Sequence, residues 1–139
     1  MGKVLVAARI ENIVDAYAAR QGSMLEEQVR AVEIDDALID TGATGLSMPA
    51  SLLQKLGLNF LRSKKARTSA GVIDVRVFGT ARLTIQGRDC PCDVTELADE
   101  CPVLIGQIPL ESLDFVVDPV GQRLIGNPAH GGEHIIELY

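Results

Sequence analysis

The sequence predicts an all-β fold with one principal short helix, and three observations carry that prediction. Short apolar, β-branched segments recur, separated by turn signals about every 8–12 residues. Helical periodicity is confined to one clear segment, near residues 49–56. The composition is that of an ordinary globular chain, with 47% hydrophobic and 23% charged residues. At 139 residues the chain has the length of one domain with its own core. It is taken as a single domain, residues 1–139, with an inserted excursion at 12–30. The pattern suits a small barrel or sandwich.

Lys3 to Ile10 (KVLVAARI) is expected as the first strand. Asn12 to Arg30 then breaks the pattern. It is rich in Ala and Glu, with Gly22 and Ser23 in its middle, and is expected as an excursion with some helix. Val29 to Ile34 resumes as strand. Asp35-Asp36 is a turn-prone pair, after which Ala37-Leu38-Ile39 forms a short apolar strand running into Asp40-Thr41-Gly42. In the helix that follows, Ser47 is expected as the cap and Pro49 in the first turn. Leu52, Leu53 and Leu56 form its apolar face, and Gly57 is its left-handed stop.

Arg67 to Phe78 reads as a hairpin with its tip near Ser69-Ala70-Gly71. Gly79 is expected to separate it from a strand over Ala81 to Ile85, and Cys90 to Glu96 returns after a turn at Gln86 to Asp89. Val103-Leu104-Ile105-Gly106 is a buried strand ending at glycine, followed by a short helix over Pro109 to Leu113. Phe115-Val116-Val117 is closed by the Asp118-Pro119-Val120-Gly121 turn, and Gln122 to Ile125 pairs back. Gly126 to Gly132 is loop, and Ile135 to Tyr139 is expected as a final strand.

Charge and cysteine content exclude several function classes. The net charge is -6, against a nucleic-acid partner, which requires a concentrated basic face. The one basic cluster, Arg62 to Arg67 (RSKKAR), reads as a solvated loop. No apolar run approaches the roughly 18 residues of a membrane span, and the first, Val4 to Ala8, is too short for a signal core. The chain is therefore expected to be soluble and cytoplasmic, with no membrane partner. Three cysteines, Cys90, Cys92 and Cys101, do not make a disulfide framework.

Chemistry concentrates at Asp40. Its backbone leaves an apolar strand, and the residues after it, Thr41, Gly42, Ala43 and Thr44, are all small. Gly42 lets a substrate or another backbone approach without a Cβ in the way, and Thr41 can both donate and accept a hydrogen bond. An amide can be hydrolysed without a metal by two carboxylates that share one proton. One accepts a proton from water while the other gives a proton to the carbonyl oxygen. The chain holds a single Asp-Thr-Gly, so the second carboxylate has to come from a second copy across a two-fold axis.

Ala37-Leu38-Ile39-Asp40-Thr41-Gly42-Ala43-Thr44 resembles the active-site segment of retropepsin-like aspartic proteases. Leu104-Ile105-Gly106, followed by a short helix, is similar to the strand that runs beneath the active-site loop in that family, and the 67–78 hairpin falls where the family keeps its flap. Order and spacing match over Leu38 to Ile125. The segments Val103 to Pro119 and Arg123 to Pro128 look most like bacterial members.

The resemblance implies a closed acid-protease β-barrel acting as a homodimeric aspartic endopeptidase on a peptide or protein substrate, with no cofactor and no metal. Asp40, Thr41 and Gly42 would be catalytic. Ala43 and the flap tip Ser69, Ala70, Gly71 and Val72 would meet substrate, and Leu104, Ile105 and Gly106 would support the loop. The alternative is a dimeric peptide-binding or scaffolding module that keeps the fold without cutting. Retroviral members follow the second glycine with Arg and then Asp or Asn. Here Gln107-Ile108-Pro109 stands instead.

Rival sites are weaker. His130-Gly131-Gly132-Glu133-His134 matches a zinc-protease spacing, but two glycines are poor helix formers. The cysteines lack the usual knuckle spacing. Both histidines lie in the tail, so no serine triad is formed, and Gly42-Ala43-Thr44-Gly45 lacks the lysine of a phosphate loop.

Overall fold

The computed structural model describes residues 3–138. The chain opens with β1 (Leu5–Asn12) and a helix α1 (Ile13–Arg20), followed by a 3-10 turn at Glu26–Gln28. The strand β2 (Ala31–Ile39) leads to the Asp40 loop, and β3 (Leu46–Pro49) leaves it. Then come α2 (Ala50–Leu56), β4 (Asn59–Thr68), β5 (Gly71–Ile85) and β6 (Arg88–Leu97). The chain continues through β7 (Leu104–Ile105), α3 (Gln107–Ser112), β8 (Phe115–Asp118), β9 (Arg123–Gly126) and a 3-10 turn at Pro128–His130. The expected mostly-β character is present, but with three short helices rather than one principal helix at 49–56: α1 is a residue longer than α2.

Seven strands pair in the order β1-β2-β7-β3-β6-β5-β4, and β1 pairs also with β5. The strand β7 is wedged between the two strands that flank Asp40: it runs parallel to β2 and antiparallel to β3. Their inward residues, with those of β1, β5 and β6, form one apolar cluster that includes Ile10, Leu46, Met48, Leu83, Val94 and Ile105. Among the described residues, β4 is the one strand of these seven that pairs on one side alone, and β8 and β9 form a separate two-stranded sheet.

Several sequence expectations need correction. Asp35-Asp36 does not turn the chain. The β1–β2 register jumps from Val6↔Ala37 to Ala8↔Ile34, so the two acids sit exposed in an irregularity of a continuous strand. Ser47 lies inside β3, and the helix is capped by Pro49 without a side-chain bond, although Gly57 does end it at φ 60. Gly79 does not separate two strands. It sits within β5, where the register against β6 shifts between Phe78 and Ala81. Arg62 to Arg67 is not a loop but the middle of β4. Ile135 to Leu138 form no strand, and Tyr139 lies outside the described residues.

The excursion at 12–30 is locked to the body by polar contacts. Asn12 caps α1 by accepting from Val14 and Asp15 N–H (3.0 and 3.1 Å), and its own amide donates to the Leu56 carbonyl (2.9 Å). The buried Asp15 carboxylate accepts from Arg30 Nε (2.8 Å), Nη2 (3.0 Å) and backbone N–H (3.0 Å). The Arg30 guanidinium holds the Asp15 carboxyl below its ordinary value.

The tail is held by a second cluster. His130 Nδ1 faces Asp114 Oδ2 at 2.6 Å and Nε2 faces Glu137 at 3.1 Å, so that when the ring is protonated it donates to both carboxylates. Asp114 also accepts from Asn127 Nδ2 and Ile135 N–H. Arg88 stacks over Phe115 and donates to the carbonyls of Leu113, Asp114 and Gly132.

Truncating Asp15 to Ala leaves a half-exposed Arg30 that water partly re-solvates. The expected loss is about 1–2 kcal/mol, read as a fall in melting temperature of about 3–8 °C. The tail cluster has a pH window. His130 is raised above 6.5 by Asp114 and then Glu137, so its contribution is full below 6.5 and is lost as pH rises through the folded value. Asp114 is held down to about 2 by His130 first, so its contribution is present above 3.8 and is lost as pH falls towards 2. Amide protection of Ile135 is therefore expected to be greatest between 3.8 and 6.5, and His130→Ala is expected to remove its decline on the alkaline side.

Candidate active site

The Asp40 loop spans residues 40–45, crossing from β2 to β3 over the end of β7. Its shape is set by backbone hydrogen bonds. Asp40 N–H donates to the Ile105 carbonyl and Ala43 N–H to the Asp40 carbonyl, each at 3.0 Å. From the far side, Gly106, Gln107 and Ile108 N–H donate to the carbonyls of Gly45, Ala43 and Thr44, each at 2.9 Å. Gln107 and Ile108 open α3, so the amides a helix start leaves without intrahelical partners are spent on the loop. Gly106 has no Cβ for a steric reason: one would meet Ala43 O and Thr44 C at 2.6 Å and Gly45 N at 2.7 Å.

Within this frame Asp40 is half-buried, and its Oδ1 accepts the Gly42 N–H at 3.0 Å. A Cβ at Gly42 would come to 3.3 Å of the same oxygen. Thr41 and Gly42 are exposed. The loop thus presents a carboxylate oriented by a backbone donor beside small, accessible residues. Leu104 and Ile105 pair with the strands on either side of the loop, and Gly106 N–H donates to the Gly45 carbonyl.

A cleft of about 930 Å³ opens beside the loop. Gly42, Ala43 and Thr44 form one wall, and the β4–β5 hairpin arches over the space with Ile73, Val75 and Val77. Ile108 and Pro109 of α3 also line it. The structure does not bring Ser69, Ala70, Gly71 and Val72 to the cleft wall. They form the exposed end of the hairpin, where Thr68 Oγ1 accepts the Ala70 N–H (3.1 Å) and donates to the Gly71 carbonyl (2.9 Å), and Gly71 adopts φ 118. The side chains that reach the cleft lie further down both arms. Their signal in the sequence is the alternation of Ile73, Val75 and Val77 against Asp74 and Arg76.

This is the geometry at which the family can be read. The sequence model of the aspartyl protease family matches residues 27–108, from before β2 to the start of α3. The chain belongs to the aspartyl protease family. The matched span contains the Asp40 loop, the hairpin and the supporting β7, and it is of the retropepsin-like kind. No curated protein matches the chain with significant similarity.

The other candidate chemistries do not assemble. Among the described residues no group of three or more His, Cys, Asp or Glu is placed to hold a metal. His130 is engaged by Asp114 and Glu137, while His134 Nε2 meets the Ser112 carbonyl at 3.0 Å. Cys90 and Cys92 are free thiols on one face of β6, and Cys92 reaches the cleft. Hydrogen bonding to Cys90 and burial push the Cys92 thiol up, so it stays protonated and is a poor nucleophile at neutral pH. Asp118 sits at the end of β8 and accepts the Val120 N–H (3.1 Å), the turn role expected of it.

Gly106→Ala forces a methyl group against three backbone atoms that cannot rotate away. The expected cost is about 1–3 kcal/mol, measured by denaturant unfolding. Faster hydrogen exchange at Gln107 and Ile108 would locate the damage at the loop rather than in the core.

Proposed function

We propose that the chain is an aspartic endopeptidase whose active site forms when two copies bring their Asp40 loops together. The observation that carries this reading is the Asp40-Thr41-Gly42 loop itself, clamped from below by β7 and the start of α3, with Gly42, Ala43 and Thr44 lining an open cleft and the Asp40 carboxylate oriented by the Gly42 N–H. One chain carries one such loop, so the shared-proton chemistry requires a two-fold partner. Strand pairings that return from β5 to β1 support the closed acid-protease barrel, and the single apolar cluster supports one domain over residues 1–139.

In this reading each Asp40 contributes one carboxyl of a pair about 3 Å apart that cannot both ionise, the behaviour established for aspartic proteases as a class. The charged member takes a proton from water, and the protonated member gives one to the scissile carbonyl oxygen. Thr41 braces the two loops through its hydroxyl. Gly42 leaves room for the peptide, and Ala43 lines its path. The peptide lies extended beneath the hairpin, bonded through its backbone in the manner of strand addition. Ser69, Ala70, Gly71 and Val72 close over it as the flap tip. The reaction draws on no metal or cofactor in this scheme. In this reading the enzyme acts on peptide or protein in the cytoplasm; no helix among the described residues is long and apolar enough to cross a membrane.

Asp40→Asn is expected to lower peptide turnover by about 10²–10⁴-fold or more, with dimer formation and peptide affinity retained. Turnover is measured against a broad peptide library between about pH 4 and 8, and subunit association by sedimentation at micromolar concentration. A wild-type protein that binds peptides but cuts none of them would be a dimeric scaffolding module. A strictly monomeric protein would sink the shared-proton mechanism.

A further inference from the structure

The cleft has a charge opposite to that of the protein. The chain carries 13 Lys and Arg against 19 Asp and Glu, yet Arg62, Lys64, Lys65 and Arg67 all line the cleft and Asp93 is the one acid among its lining residues. These cations lie on β4, opposite the aliphatic residues of β5.

Register assigns them to faces. Arg62 sits opposite Val77, Lys64 opposite Val75 and Ala66 opposite Ile73, and directly opposed residues share a face of the sheet. Lys64 is thus on the same face as the three aliphatic residues that line the cleft. Lys65 and Arg67 alternate onto the other face, Lys65 paired with Asp74 at 2.6 Å, so of the four lining cations only Arg62 and Lys64 share the face of the aliphatic residues. Arg62 lies 3.5 Å from Asp93, a contact between exposed groups that competes weakly for it. Lys64 has no carboxylate within salt-bridge distance among the described residues.

We propose that this face is a specificity subsite for acidic peptide side chains, in which Lys64 receives an Asp or Glu of the substrate and Val75, Val77 and Ile108 take aliphatic neighbours. The inference rests on the peptide-cleft reading given above and adds the substrate class to it. Spacing fits the occupant. Side chains on one face of a strand repeat every second residue, about 6–7 Å apart. An extended peptide bearing acids two residues apart therefore presents them at the separation of Lys64 and Arg62. The acidic remainder of the surface does not oppose entry at physiological salt, because charges beyond about 8 Å are screened.

Lysines on an edge strand also discourage sheet-to-sheet aggregation, and the experiment separates that role from recognition. Fluorescent extended peptides in an aliphatic background carry Glu, Gln or Lys at each position in turn. Their binding is measured on the Asp40→Asn protein and their cleavage on the native protein. At the best position Glu is expected to bind about 3–10-fold tighter than Gln, with Lys weakest, and the preference is expected to shrink as salt rises. Lys64→Glu is expected to invert the order, and Lys64→Gln to flatten it. Where a variant does not fold, the salt series on the native protein decides.

Cleavage with no charge order would overturn the subsite while leaving the protease reading intact. A Glu preference in binding that Lys64→Glu inverts, with no cleavage, would keep the subsite and overturn the catalysis. Preference for Lys peptides, or binding indifferent to charge, would leave the edge lysines as a guard against aggregation.

Discussion

The structure depends most on the contact between Gly106 and the loop above it. Three N–H groups at the junction of β7 and α3 donate into the carbonyls of residues 43–45, and the approach is so close that no side chain fits at Gly106. A carboxylate at a surface loop keeps a fixed orientation only if the loop is held, because loops are otherwise mobile. Hydrogen bonds from a buried strand supply that restraint. They hold the loop from its inner side and leave Thr41 and Gly42 open. The clamp needs no charged side chain at Gln107, Ile108 or Pro109. Its working groups are backbone amides, and the Gln107 side chain turns away to Glu111.

The remaining elements either reinforce that frame or shape what it faces. The excursion at 12–30 is a docked cap whose Asn12 and Asp15 reach α2 and Arg30. The Asn12 contact falls on the last residue of α2, the helix that follows directly from β3. The long β5 works differently. Its second half is paired on both sides, by β1 and β6, while its first half projects with the edge strand β4 to roof the cleft. Pairing on both sides at one end of a strand and projection at the other let one element serve both core and cleft.

The sequence errors share one cause. Asp35-Asp36 has turn chemistry, but pairing with β1 on either side of it absorbs the two residues as an irregularity and keeps the strand whole. Gly79 has the same history against β6. Arg62 to Arg67 is solvated, as read, but it looked like a loop because a polar run shows no hydrophobic period, and only its register against Val72 to Val77 makes it strand. In each case a local preference worth a fraction of a kcal/mol yields to a ladder of pairings that spans the sheet.

The sequence by itself determined the mostly-β character, the Asp-Thr-Gly loop, the glycine beneath it and the helix stopped at Gly57, since each is written in adjacent residues through alternation, small side chains or a positive φ. The tertiary structure alone decided which strands flank β7, where the hairpin meets the cleft, and which cations face it. Those depend on contacts between residues far apart in the chain, and no local pattern encodes the register that brings Lys64 opposite Val75.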